Sequence, residues 1–225
     1  MICLQGGGEF SPACRAMDAA LVRRAAGRVV VSALAAEPGR DYDTATANGV
    51  GHFRAIGAGD VVGAPDARDD ARAALDVVAT ARLLVLPGGS PSRLLAALRD
   101  TGMEAAIGAL LDDDGVVMGA SAGAMVLCSW TVLPDKRSGG ALAVTAGLGL
   151  VPDLLVVPHW SGGSSRGDWL RSIDAAAPTA TTVVGIPEES GLLVEGTELT
   201  AVGVTATRLI SADRDHAPGD SWTLS

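Results

Sequence analysis

Val116-Val117-Met118-Gly119-Ala120-Ser121-Ala122-Gly123 reads as a short buried strand, a sharp turn and the start of a helix, with a serine hydroxyl at the turn. An unbroken apolar run of this kind suits a parallel strand covered on both faces. Asp112-Asp113-Asp114-Gly115 ends a preceding helix, and Ala122 to Trp130 predicts a following one whose small residues let it pack closely on the sheet. In α/β proteins such a turn lifts Oγ clear of the sheet and aims it at a helix N-terminus, one way to make a serine nucleophilic. The pentad G-x-S-x-G alone carries little weight. With 29 Gly and 15 Ser in 225 residues it is expected roughly 0.25 times by chance. A serine in a tight strand-to-helix turn also serves simply as the helix cap.

Upstream of the turn, strand and helix alternate. Ile2 to Leu4 is a strand ending in Gly6-Gly7-Gly8-Glu9-Phe10, followed by a helix from Ala13 to Ala26 and a strand from Arg28 to Ala33. Tyr42 to Ile56 is a helix, Asp60 to Val62 a strand and Ala67 to Ala79 a helix. Arg82 to Leu86 is a strand running into Pro87-Gly88-Gly89-Ser90-Pro91, with helices from Ser92 to Arg99 and Glu104 to Leu111. Downstream, Leu154 to Val157 is a strand ending in Pro158-His159-Trp160, Arg166 to Ala176 a helix, and Thr181 to Ile186 a strand ending in Pro187-Glu188. Gly191 to Val194 and Thr200 to Val204 form a hairpin around Glu195-Gly196-Thr197, Thr207 to Ile210 follows, and the polar last residues are expected to fray. The succession predicts an α/β fold: a mostly parallel sheet flanked by helices, with a C-terminal β-hairpin. No repeat, linker or low-complexity tract divides the chain, so residues 1–225 are expected to form one domain.

Composition narrows the function. Apolar residues make up 48% and aromatics only 3%, so the core is built from Ala, Val and Leu. The net charge of −9 argues against nucleic-acid binding and against an anionic membrane surface. No apolar run approaches the roughly 18 residues that span a bilayer, and the N-terminus lacks the basic and apolar regions of a signal peptide. Cys3, Cys14 and Cys128 show no metal-ligand spacing and suggest reduced thiols in the cytoplasm. No metal or cofactor is implied, and the expected partner is a small molecule, bound by a monomer or homodimer.

A serine needs a base within hydrogen-bond reach and a third group to orient that base. The chain has three histidines. His52 falls mid-helix or in a loop, and His216 in the charged run Asp213-Arg214-Asp215; both read as solvated surface residues. His159 instead sits just past a strand's C-terminal end, the edge where open α/β sheets hold their sites. Glu188 follows its own strand in the same way, with Glu189 adjacent. The candidate triad therefore runs Ser121, His159, Glu188. An α/β-hydrolase esterase would run serine, acid, histidine, which here needs Asp135 or Asp153 before His159, or His216 from the tail. A domain that binds a ligand without catalysis is the other alternative. For the oxyanion, the Ala122 N–H follows the nucleophile, and Gly88-Gly89 lets a second N–H, that of Gly89, approach without a side chain in the way.

Five segments taken together resemble the peptidase S51 family, whose members include aspartyl dipeptidases and cyanophycinases: Gly6-Gly7-Gly8-Glu9, Gly88-Gly89-Ser90 to Leu94-Leu95, Gly119 to Ala124, Pro158-His159-Trp160, and Gly185-Ile186-Pro187-Glu188. The resemblance implies a class I glutamine amidotransferase-like, three-layer fold with serine in the cysteine's place. It implies a Ser-His-Glu triad on Ser121, His159 and Glu188. It further implies a serine peptidase acting on small peptides, with dipeptides bearing an N-terminal aspartate as the expected substrates. Arg166 would meet the aspartate carboxylate, since guanidinium binds carboxylate bidentately, although an arginine opening a helix can equally be plain surface. Asp135, in the loop after the elbow helix, would hold the α-ammonium or be a solvated loop acid. Gly88 and Ser90 would line the substrate site. Ser90-Pro91 replaces the Asn-Thr frequent in the family, and the further arginine expected after Arg166 is displaced to Arg171, with Trp169 near its place. Both departures touch substrate reading and leave the proposed chemistry intact.

Overall fold

The computed structural model describes residues 1–135 and 139–224. Its elements in chain order are β1 (Ile2–Gln5), α1 (Arg15–Ala25), β2 (Val29–Val31), α2 (Arg40–Ala55), β3 (Val61–Gly63), α3 (Ala71–Val78), β4 (Leu83–Leu86), α4 (Pro91–Asp100), α5 (Met103–Asp112), β5 (Val116–Ala120), α6 (Ala122–Leu127), β6 (Cys128–Asp135), β7 (Ala141–Ala146), β8 (Val151–Pro158), α7 (Gly167–Ala176), β9 (Thr182–Ile186), β10 (Ser190–Glu195), β11 (Glu198–Gly203), β12 (Thr207–Leu209), β13 (Arg214–His216) and β14 (Ser221–Thr223).

The strands form two sheets, ordered β14-β11-β10-β1-β5-β4-β2-β3 and β13-β12-β9-β8-β6-β7. The first sheet is parallel from β1 to β3, where consecutive strands are joined through helices. Its other half is antiparallel, because β10 and β11 close the expected hairpin and β14 adds an edge. In the second sheet β6, β8 and β9 run parallel. The α/β class and the C-terminal hairpin thus hold, with the strands divided between two sheets. Both sheets feed one core: Leu4, Val117, Val156, Val184 and Ile186 share a buried cluster with Leu94 and Leu98 of α4. Every residue of β2, β4 and β5 is buried, as apolar runs covered on both faces require. Asp70 caps α3 by accepting the Ala73 N–H at 2.9 Å. Ser90 caps α4 by accepting the Arg93 N–H at 3.3 Å, with Pro91 in the first turn.

Three readings change. The elbow helix stops at Leu127, and residues 128–130 belong to a strand that pairs with both β7 and β8. The helix end is captured by the loop before β8: N–H groups of Leu148, Leu150 and Gly149 satisfy the carbonyls of Val126, Leu127 and Cys128. The tail does not fray before Leu224, because β13 pairs with β12 and β14 with β11. His52 and His216 are buried rather than solvated. His52 hydrogen-bonds Asp18 at 2.7 Å, and His216 stacks on Trp222 with ring centroids 3.8 Å apart. No helix among the described residues is long and apolar enough to cross a membrane.

Candidate active site

The elbow forms because its two glycines let chain segments touch. A Cβ on Gly119 would lie 2.5 Å from the Gly123 carbonyl carbon, and one on Gly123 would lie 2.5 Å from the Leu86 carbonyl oxygen. No side chain fits at either place, so α6 starts directly against β4 and β5. Between them Ser121 is forced to φ 47°, ψ −101°, a conformation that costs a non-glycine residue on the order of 1–3 kcal/mol and is held only by its surroundings. Ser121 sits at the N-cap of α6 yet makes no side-chain cap hydrogen bond. The hydroxyl is spent elsewhere.

It is spent on His159. Ser121 Oγ and His159 Nε2 are 2.8 Å apart, and His159 Nδ1 lies 3.0 Å from Glu188 Oε1. The three side chains make one continuous relay from three strand ends. Both partners are open to solvent, with side-chain exposures of 39% for His159 and 63% for Glu188. An ion pair so exposed adds little to stability, so its consequence is the orientation of the imidazole. The acid and base of the other chain order stand apart: Asp153 lies near the start of β8, whereas His159 follows its end, and His216 is stacked on Trp222.

The relay hangs on the loop after β1. The Ser121 N–H donates to the Gln5 carbonyl at 2.8 Å, the His159 N–H to the Gly6 carbonyl at 2.8 Å, and the Glu189 N–H to the Gly7 carbonyl at 2.8 Å. Three consecutive carbonyls therefore anchor the three segments that carry the relay. The glycines make room for what they anchor. A Cβ on Gly6 would meet the Pro187 carbonyl oxygen at 2.2 Å, and one on Gly7 would meet His159 Cε1 at 2.3 Å. His159 itself sits at φ 52° and Glu189 at φ 58°, so tight turns present both acid-base segments.

Facing the serine is the Gly88-Gly89 loop. The Gly88 N–H donates to Glu9 Oε1 at 2.7 Å. Among the described residues the Gly89 N–H donates to no protein acceptor. As the first residue of α6, Ala122 has an N–H with no partner within its helix. The N–H groups of Gly89 and Ala122 are thus without a protein acceptor among the described residues. The Ser90 hydroxyl is engaged in capping α4 and its N–H in a bond to the Ala35 carbonyl, so its ordered role is in holding this loop. Arg166 lies beside the base: Nη2 donates to the Pro158 carbonyl at 3.0 Å, and the guanidinium covers the Trp169 ring at 5.3 Å. Asp135 ends β6, and its side chain lies outside the described residues. Glu9 and the ring-clearing part of Gly7 are the features that strand-end reasoning passed over. Their signal was three glycines and an acid at a strand terminus.

The thiols stand apart from this chemistry. All three cysteines are free and buried, and burial pushes the Cys3 and Cys128 thiols well up, which makes them inert. Among the described residues no cluster of His, Cys, Asp or Glu could hold a metal ion.

Known proteins share this architecture. A peptidase from an acI-B1 Actinobacterium superposes with a TM-score of 0.80 over 99% of this chain and 96% of its own, at 22% identity. A putative peptidase E from Listeria monocytogenes gives 0.63 over 91% of this chain and 98% of its own, at 14% identity. Peptidase E of Citrobacter koseri is 28% identical over 153 residues, which spans 63% of this chain and 64% of that protein. At these identities the structures speak for the fold. The sequence profile of peptidase family S51 matches residues 21–202, a span that includes Gly88, Ser121, His159 and Glu188, and on that match the chain belongs to peptidase family S51.

Proposed function

We propose that the protein, residues 1–225 acting as one unit, is a serine peptidase that hydrolyses small peptides through Ser121, His159 and Glu188. Dipeptides with an N-terminal aspartate are the proposed substrate class. The unbroken relay of 2.8 Å and 3.0 Å from Ser121 through His159 to Glu188 carries the reading. His159 Nε2 takes the hydroxyl proton as Oγ attacks the scissile carbonyl carbon. Glu188 accepts the Nδ1–H, fixing the tautomer and stabilising the imidazolium that forms. The Gly89 and Ala122 N–H groups receive the negative charge that grows on the carbonyl oxygen. The tetrahedral intermediate collapses as His159 returns its proton to the leaving amine, which leaves an acyl group on Ser121. Water then loses a proton to His159, attacks the acyl carbon, and frees the acid and the serine.

Arg166 supports the aspartate preference. Its guanidinium is anchored within one residue of His159 yet spends only its Nη2 edge on backbone, at 3.0 Å from the Pro158 carbonyl and 3.5 Å from the His159 carbonyl. Among the described residues no acceptor meets its remaining edge, which suits a bidentate carboxylate. The test is a panel of dipeptides and β-linked aspartyl peptides given to wild type, Ser121→Ala and Arg166→Ala. Hydrolysis by wild type and none by Ser121→Ala is expected, with Arg166→Ala losing acidic substrates selectively. No hydrolysis of any peptide, together with no labelling of Ser121 by a fluorophosphonate, would end the enzyme reading. Equal turnover of acidic and neutral first residues would remove the Arg166 assignment alone.

A further inference from the structure

The loop after β1 brings a second carboxylate to the serine. Glu9 accepts the Gly88 N–H at 2.7 Å through Oε1. A Cβ placed on Gly88 would lie 2.7 Å from that oxygen and 3.3 Å from Ser121 Cβ. The carboxylate therefore borders the nucleophile with only glycine backbone between them. Glu9 is half-buried, and a carboxylate drawn out of water offers about four acceptor sites on two oxygens. One N–H is a thin complement for that. Among the described residues no second donor reaches Glu9, and no arginine, lysine or histidine forms an ion pair with it. A cationic group would complement the acceptor sites that the Gly88 N–H leaves over.

The carboxylate is also held in advance. On one side of it the Cys14 thiol donates to the Gly8 carbonyl at 3.4 Å. On the other, the Phe10 ring packs on His52 at 5.3 Å and edge-on to Phe53 at 6.2 Å, and His52 is locked to Asp18. A loop pinned on both sides loses little freedom when a ligand arrives.

We infer that Glu9 binds the α-ammonium of the substrate's first residue and so restricts the enzyme to peptides with a free amino terminus. The inference deepens the serine peptidase reading and rests on it. The α-nitrogen of the residue under attack is two bonds from the carbonyl carbon that Ser121 meets. With the oxyanion on the Gly89 and Ala122 N–H groups, a carboxylate on the neighbouring Gly88 N–H stands next to the attacked residue. An amino terminus places three N–H donors and a positive charge against Glu9. A peptide that continues upstream, or one that is acetylated, offers a neutral amide and adds an acyl group to a space bounded by the Gly6–Glu9 loop. The contact also divides the Gly-Gly loop: Gly88 serves Glu9, and Gly89 is left for the oxyanion. Glu9 thus takes the task that the family resemblance assigns to Asp135.

The test uses the full chain, aspartyl dipeptides, their N-acetylated forms, and a fluorophosphonate that carries no ammonium group. Wild type is expected to hydrolyse the free dipeptide and leave the acetylated one. Glu9→Gln keeps an acceptor for the Gly88 N–H. It should lose on the order of 10- to 100-fold in kcat/KM on the free dipeptide, mostly through KM, while Ser121 is still labelled within a few-fold of the wild-type rate. Its preference for free over acetylated substrate should shrink by the same factor. Wild type that cleaves both forms equally overturns the inference and leaves the peptidase reading standing. So does Glu9→Gln with wild-type kinetics. Loss of fluorophosphonate labelling in Glu9→Gln assigns the side chain to holding the loop instead, and overturns it too. Wild type that cleaves no peptide removes the peptidase reading and the inference together.

Discussion

Replacing Gly7 by alanine should disable the site while sparing the fold. The new Cβ would stand 2.3 Å from His159 Cε1 and 2.5 Å from Nδ1. Ordinary contact begins near 3.4 Å, so either the ring or the loop must retreat by about 1 Å. The ring has little slack, because its two nitrogens sit 2.8 Å from Ser121 Oγ and 3.0 Å from Glu188 Oε1. The loop has none, because the Gly6 and Gly7 carbonyls hold the His159 and Glu189 backbone. A 1 Å error at a general base costs on the order of 10²-fold in rate. Gly7 also sits at φ +129°, where an L residue is strained by on the order of 1–3 kcal/mol. For a chain of this size that lowers Tm by roughly 2–12 °C, short of unfolding it at 25 °C.

The measurements are kcat on a cleaved dipeptide, the fluorophosphonate labelling rate of Ser121, and Tm by circular dichroism. Gly8→Ala is the control. It also has positive φ, at +65°, but its added Cβ would meet the Glu189 Cγ at 3.1 Å and not the imidazole. Gly8→Ala should lose stability with a small change in labelling. Gly7→Ala should lose at least about 100-fold in labelling and kcat. A folded Gly7→Ala that labels within twofold of wild type would refute the idea that this glycine clears the ring.

Ser121→Ala should lower peptide hydrolysis by at least about 10⁴-fold with Tm nearly unchanged, read by product release at substoichiometric substrate. Glu188→Gln should cost on the order of 10³- to 10⁴-fold in kcat, whereas Asp153→Asn should cost nothing measurable, and the opposite pattern would favour the α/β-hydrolase order. The buried Asp18 carboxyl is pushed up to about 6, chiefly by burial, with the His52 contact opposing the shift and the Glu9 charge adding to it. The folded state then holds this proton more tightly than the unfolded chain. Its stabilising contribution is full below about pH 4 and is lost as pH rises through about 6. Urea unfolding between pH 4 and 7 should show that slope, and Asp18→Asn should flatten it.

The strand-end residues were legible because one rule places them. In an open α/β sheet the active groups lie past the C-terminal ends of strands, and Ser121, His159 and Glu188 each follow an apolar run. The misread segments obey a different logic. Residues 128–130 continue a helical pattern locally, and a strand wins only because β7 and β8 flank it. His52 lies in a stretch of mixed polarity, Val50-Gly51-His52-Phe53-Arg54, and what buries it beyond its neighbour Phe53 is Asp18 and Phe10. His216 lies in a charged run whose other members face out, while its own ring is covered by Trp222. In each case the partner lies on another segment, where hydrophobic periodicity carries no record of it.

The same limit explains the loop after β1. Three glycines followed by glutamate read as a strand terminus because their purpose is distributed across the Gln5, Gly6 and Gly7 carbonyls and three distant segments. The family match begins at residue 21, so this frame and Glu9 fall outside the span by which the chain is assigned. The matched span takes in Ser121, His159, Glu188 and the Gly88-Gly89 loop and leaves Glu9 outside it. If Glu9 governs the demand for a free amino terminus, transplanting the Gly6–Phe10 loop should move that demand without moving the triad. Preference for free over acetylated dipeptide should follow the loop while the labelling rate of the serine stays with its own elbow.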